Sequence, residues 1–231
     1  MRRVEALGAL LWLGCTMPPT APSPTAAAEL AQSEAPQLVV TERLGGDGPD
    51  APDQLRMAFR RGDETGAPLD RLAIGWVPRW GDGAALVDPD GRLYEVSLNG
   101  TRRMLAQGAV GPLSADGVRL AYTTESGFLT DLHVHDGQAA TTWARGLAAA
   151  GVLRLEGARL FFVGGPPGAV VGLWEARADG PPRCWSNCAL RTGTDFGDAF
   201  VAPPGRAEDI TPLEEGVRWV DAAGVTHEVT P

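Results

Sequence analysis

Gly111-Pro112-Leu113-Ser114-Ala115-Asp116-Gly117-Val118-Arg119-Leu120-Ala121-Tyr122, followed by Asp131-Leu132-His133-Val134-His135-Asp136-Gly137, is the stretch whose reading decides the fold. A Pro and a large apolar residue lead into an Asp-Gly turn. An apolar strand follows, and the next strand ends in a second Asp-Gly turn. Asp accepts hydrogen bonds from the turn backbone and Gly tolerates a left-handed conformation, so each pair marks a chain reversal between strands.

The unit recurs. Gly83-Ala84-Ala85-Leu86-Val87, Gly157-Ala158-Arg159-Leu160-Phe161-Phe162-Val163 and Gly216-Val217-Arg218-Trp219-Val220 align with Gly117 to Tyr122. The Gly-to-Gly spacings are 34, 40 and 59, the last containing an insert with Cys184 and Cys188. Each copy leads into a further strand, at residues 92–98, 132–135, 171–176 and 225–229. Other β-forming runs lie at 37–40, 72–77 and 152–155, with turn signals at Asp82-Gly83, Asp90-Gly91 and Asn99-Gly100. The one helix candidate in the body is weak, at residues 147–150.

Repeats near forty residues built of short strands are the pattern of propeller blades, and residues 37–231 hold about five of them. The expected fold is therefore all-β, a small β-propeller of about five four-stranded blades. A β-sandwich with a long insert is the alternative. The first unit, residues 37–73, is the least regular.

Residues 109–146 resemble the WD40-like repeat of TolB-type propellers. There a Pro, a large apolar residue and a Ser-Pro-Asp-Gly turn precede an apolar strand, and a later strand ends in Asp and Gly. Ala115 stands where that repeat has Pro. Leu155-Glu156-Gly157 and Glu214-Glu215-Gly216 keep the turn and lose its Asp. The resemblance implies a radial array of antiparallel blades and a binding or scaffolding role. It carries no catalytic residues.

The N-terminal residues set the expected compartment. Met1-Arg2-Arg3 is a positive n-region, and residues 6–14 form an apolar stretch too short to span a bilayer as a helix. Leu11-Trp12-Leu13-Gly14-Cys15 resembles a bacterial lipobox, with Gly14 before the Cys to be lipidated. Residues 1–14 are thus expected to be a signal peptide. Residues 15–36, rich in Pro, Ala, Ser and Thr, are expected to be a lipidated Cys15 and a disordered tether, and 37–231 the folded body. The protein is thus expected in the bacterial envelope, at the outer membrane, held only by its lipid. Cleavage near residues 26–28, giving a soluble secreted or periplasmic protein, is the alternative.

With three Cys in the chain, setting Cys15 aside leaves Cys184 and Cys188, expected as a local disulfide in an oxidising compartment. Acidic residues number 29 against 20 basic ones, all Arg, for a net charge of −9. That balance repels phosphate backbones, so no nucleic-acid partner is expected.

No P-loop, dinucleotide fingerprint or Gly-x-Ser-x-Gly elbow is present, and no cofactor is expected. His133 and His135 lie two apart on a strand and, with His227 or a carboxylate, could ligate zinc; the plainer reading turns Leu132 and Val134 inward. Asp195 and Asp198 sit in a Gly-rich loop and could serve as a carboxylate pair in a small exported hydrolase. Of the Trp residues, Trp80 and Trp185 are candidates for display, Trp185 inside the small Cys loop. The expectation is a non-enzymatic module binding an envelope protein or a glycan, with Trp185, Trp80, Asp195 and Asp198 as candidate contacts and no resident metal.

Overall fold

The computed structural model describes residues 35–45, 53–193 and 197–231. Its strand order follows from a turn device used repeatedly. The Asp116 carboxylate accepts hydrogen bonds from the amides of Val118 and Arg119, and Asp136 does so from Gln138 and Ala139. Asp88 binds the amides of Asp90 and Arg92, and Asp221 those of Ala223 and Val225. A carboxylate that satisfies two amides within its own turn closes a hairpin locally, so each strand pairs with the one before it.

The result is a succession of antiparallel meanders. The first sheet contains β1 (Gln37–Leu44), β2 (Gln54–Arg61), β3 (Glu64–Thr65) and β4 (Leu72–Ala73), with β3 and β4 both pairing with β2. The second runs β5 (Gly75–Trp80), β6 (Gly83–Val87), β7 (Arg92–Ser97), β8 (Arg102–Gln107). The third runs β9 (Ala109–Ala115), β10 (Leu120–Ser126), β11 (Leu129–His135), β12 (Ala140–Leu147). The fourth runs β13 (Ala149–Glu156), β14 (Arg159–Gly165), β15 (Gly172–Arg177), β16 (Gly180–Cys184). The last has three strands, β17 (Ile210–Pro212), β18 (Val217–Val220) and β19 (Thr226–Val229).

Only Ile74, Gly108 and Ala148 separate β4 from β5, β8 from β9 and β12 from β13. The outermost strand of one sheet thus passes directly to the innermost strand of the next. By this link β4 is the counterpart of the outer strands β8 and β12. The first sheet then begins at the second-strand position, and its outer strand is broken into β3 and β4.

Strand alternation puts apolar side chains on both faces of the middle sheets. Leu38, Met57 and Leu86 pack between the first and second sheets, and Trp80, Leu93 and Leu120 between the second and third. Leu132, Val134 and Phe162 pack between the third and fourth, and Phe161, Val217 and Trp219 between the fourth and last. The outer face of the first sheet carries the Glu42–Arg56 ion pair and that of the last the Arg218–Glu228 pair. Among the described residues no core cluster joins those two sheets.

The fold is thus all-β and propeller-type, as expected, and it is not a sandwich, since each meander forms its own sheet. Two local expectations fail. Residues 147–150 are not helical; they end β12 and begin β13 across Ala148. The run at 72–77 is two strands in different sheets, because Ile74 is the crossing point and its amide bonds to Val87.

Candidate functional site

Cys184 and Cys188 form the expected disulfide, with Cα atoms 5.6 Å apart. Trp185 within that loop is not displayed. It is 6% exposed and packs on Phe161, Leu173, Ile210 and Trp219. Its indole Nε1 donates to Glu175 Oε2 at 3.1 Å, and the Arg183 guanidinium lies 4.0 Å from its ring centre. The loop turns inward because a buried carboxylate there accepts the indole proton and offsets the cost of burying it.

Trp80 is buried too, at 2% exposure. Its Nε1 donates to the Val118 carbonyl at 3.1 Å, and its ring meets the His135 ring edge-on at 5.5 Å. Both Trp readings are therefore corrected: these side chains join neighbouring sheets. No local signal shows this, since the acceptors Glu175 and Val118 come from other strands or turns.

Leu132 and Val134 turn inward as expected, but His133 and His135 do not face open solvent. They point toward the second sheet, His135 buried and His133 half-buried. His133 Nε2 is 2.8 Å from Thr124 Oγ1 and its Nδ1 is 3.1 Å from Thr142 Oγ1, while its ring stacks on Tyr122. His135 Nδ1 accepts the Gly137 amide at 2.9 Å. Burial pushes both histidines below their ordinary pKa, helped by Arg145 at His133 and by Arg103 at His135. His227 lies in the last sheet, stacked on Trp219 and paired with Asp221 at 2.9 Å. The zinc alternative thus finds both His133 ring nitrogens and His135 Nδ1 engaged with Thr hydroxyls and a backbone amide. Among the described residues no three His, Cys, Asp or Glu side chains gather around one point.

Cys15 and Asp195 lie outside the described residues, and Asp198 falls in a short 3-10 turn, Gly197–Ala199. The Asp88-Pro89-Asp90-Gly91 segment is a β-turn, closed by the Gly91 amide on the Asp88 carbonyl.

Surface features that the sequence reading missed are apolar. Phe128, at the β10–β11 turn, is fully exposed, and Val171 and Val225 are exposed beside the β14–β15 and β18–β19 turns. All three turns join the second strand of a sheet to the third. The topology therefore places them at one end of the sheets. At the other end lies an open groove of about 470 Å³, lined by Phe59, the segment Gly66 to Asp70, the β7–β8 turn and Arg102. An apolar hollow of about 560 Å³ is lined by Trp76, Val110 and Pro112 of the innermost strands β5 and β9 with their flanking residues.

No protein-family model and no curated protein matches the chain. Among solved structures the chain is similar to TolB from Acinetobacter baumannii, at 16% identity and a TM-score of 0.49, over 86% of this chain and 54% of that one. It is also similar to PorZ, an essential bacterial surface component of the type-IX secretion system of Porphyromonas gingivalis, at 12% identity and a TM-score of 0.26, over 83% of this chain and 36% of that one. The chain thus spans about half the length of the TolB structure and about a third of PorZ. What this chain's own strand order establishes is a propeller-type array of antiparallel sheets.

Proposed function

We propose that this chain is an exported envelope lipoprotein whose propeller-type body is a non-enzymatic binding module for another envelope protein or a glycan. The observation that carries the reading is the placement of Phe128, Val171 and Val225. They are large apolar side chains left in water at the same end of three successive sheets. Scattered apolar residues on a surface are ordinary, but apolar side chains gathered on turns of a rigid sheet array suit a docking face. The lipobox-like segment ending at Cys15 and the tether after it would hold such a face at a membrane.

The test is recovery of partners from cross-linked envelopes with the lipidated protein, beside a Phe128→Ser/Val171→Ser/Val225→Ser variant. A partner retained by the parent and lost by the variant supports the reading. Equal recovery by both, or none by either, counts against it. Replacing Cys15 with Ser should release the protein from the membrane fraction.

A further inference from the structure

The second, third and fourth sheets share a feature that the first lacks. Each begins with an innermost strand, β5, β9 or β13, paired antiparallel with the strand that follows it. The first sheet begins at the second-strand position with β1, which pairs with β2 alone. Among the described residues no backbone group of β1 bonds to anything but β2. A strand can hydrogen-bond along both sides, so alternate amides and carbonyls of β1 point outward without a partner.

That open edge is short and apolar. Gln37, Leu38, Val39 and Val40 precede a bulge at Thr41, after which the charged Glu42 and Arg43 follow. No Pro and no charged residue, the usual devices against strand addition, interrupts the four. Val40 is only half-buried in the apolar cluster between the first and second sheets, and so is Trp76 of β5. Trp76 also borders the hollow of about 560 Å³, with Ile74, Val110 and Pro112. Because β5 lies against β9 and β9 against β13, a strand at the innermost position of the first sheet would lie against β5, beside Trp76.

The molecule itself shows what fits such a position. Its three innermost strands open with uncharged runs carrying Gly or Pro: Gly75-Trp76-Val77-Pro78, Ala109-Val110-Gly111-Pro112-Leu113 and Ala149-Ala150-Gly151-Val152-Leu153. The residues that precede β1 in the chain do not match them. Between positions 22 and 34 the one large apolar residue is Leu30, accompanied by Glu29 and Glu34. In a second copy the matching runs are already paired inside their own sheets.

We propose that the open edge of β1 takes up an extended, uncharged apolar strand from a different protein, antiparallel to β1, which completes the first sheet. Main-chain hydrogen bonds to residues 37–40 would supply the affinity, and an apolar side chain set beside Val40 and Trp76 the selectivity. A glycan brings no alternating row of amides and carbonyls at strand spacing, so the partner is a polypeptide. The site shares no residue with the Phe128, Val171 and Val225 turns, so it stands or falls separately from the docking face there.

The test is amide hydrogen exchange on the full chain, read residue by residue by NMR, with and without a synthetic peptide of the β9 sequence Ala109–Ala115. The outward amides within residues 37–40 should exchange fast in the chain alone and at least about tenfold more slowly with saturating peptide. The same peptide with N-methylated backbone amides should give no protection. Slow exchange of every amide from 37 to 40 in the chain alone overturns the proposal, because the edge is then already covered by upstream residues or by a second copy. No protection by the peptide, protection confined to the edge strand β19, or equal protection by the N-methylated peptide also overturns it.

Discussion

Arg159 on β14 and Glu175 on β15 form a buried ion pair, with Arg159 Nη2 2.8 Å from Glu175 Oε2, that ties the fourth sheet to the last. The pair is bidentate, Arg159 Nε also reaching Glu175 Oε1 at 3.0 Å. The same guanidinium donates to the carbonyls of Leu213 and Gly216, which lie in the β17–β18 turn. Glu175 is 1% exposed and also accepts from Arg177 and from the Trp185 indole. One carboxylate thus organises two arginines, the Cys-loop tryptophan and the junction between two sheets.

Removing that charge leaves Arg159 buried without its counter-ion, so Glu175→Gln should destabilise the fold by about 3 kcal/mol. Burial pushes the Glu175 carboxyl up, but hydrogen bonds and charge from Arg159 and Arg177 outweigh it, and the net pKa lies below 4.5. Its contribution is therefore present above pH 4.5 and is lost as pH falls through the lowered value. Urea melts at pH 7, 4.5 and 3 should show the wild type losing stability over this range and the variant losing less. A variant as stable as the parent at pH 7 would refute this account.

His135 makes the opposite kind of demand. Its folded-state pKa lies below 6.5 because it is buried and faces Arg103. The unfolded chain takes up the proton first, so stability is full above about pH 6.5 and declines as pH drops below it. His133, shifted the same way, adds to that decline. A His135→Phe variant should show a shallower fall in melting temperature between pH 7.5 and 5.5; parallel curves would mean that the ring is already free to charge.

The repeat glycines answer to two separate constraints. Gly117 has a φ of +91° with open space around its Cα, whereas a methyl at Gly83 would overlap the Val96 carbonyl oxygen. Gly117→Ala should cost about 1 to 2 kcal/mol, the ordinary penalty for an L residue in the left-handed region, and Asn should recover part of it. At Gly83 both Ala and Asn should cost about 3 kcal/mol, because strands β6 and β7 must separate. Denaturant midpoints of the four variants distinguish the cases by whether Asn rescues.

Reducing the Cys184–Cys188 bond should be felt locally. The loop it closes spans a sequence separation of 4. Loop-closure entropy for so short a loop gives about 2 kcal/mol. Because Trp185 is packed beside it, a red shift in tryptophan emission on adding reductant is expected together with a modest drop in melting temperature. Unfolding of the whole chain on reduction would show that the bond supports far more than its loop.

What the sequence by itself determined is the meander. Asp116, Asp136 and Asp88 each close a turn through their own backbone neighbours, and period-two alternation follows from strand geometry alone, so these elements depend on nothing far away. The outer strands β8 and β12 escaped notice because a strand at the solvated rim carries little apolar alternation, as in Arg102-Arg103-Met104 and Ala140-Thr141-Thr142. Only the tertiary structure decided which aromatic is hidden and which is shown. Trp185 is buried because Glu175, on another strand, accepts its proton, while Phe128 is left in water because no strand crosses its hairpin tip. The groove at Phe59, Leu98 and Arg102 likewise exists only once two sheets meet, since burial depends on neighbours that the linear order keeps apart.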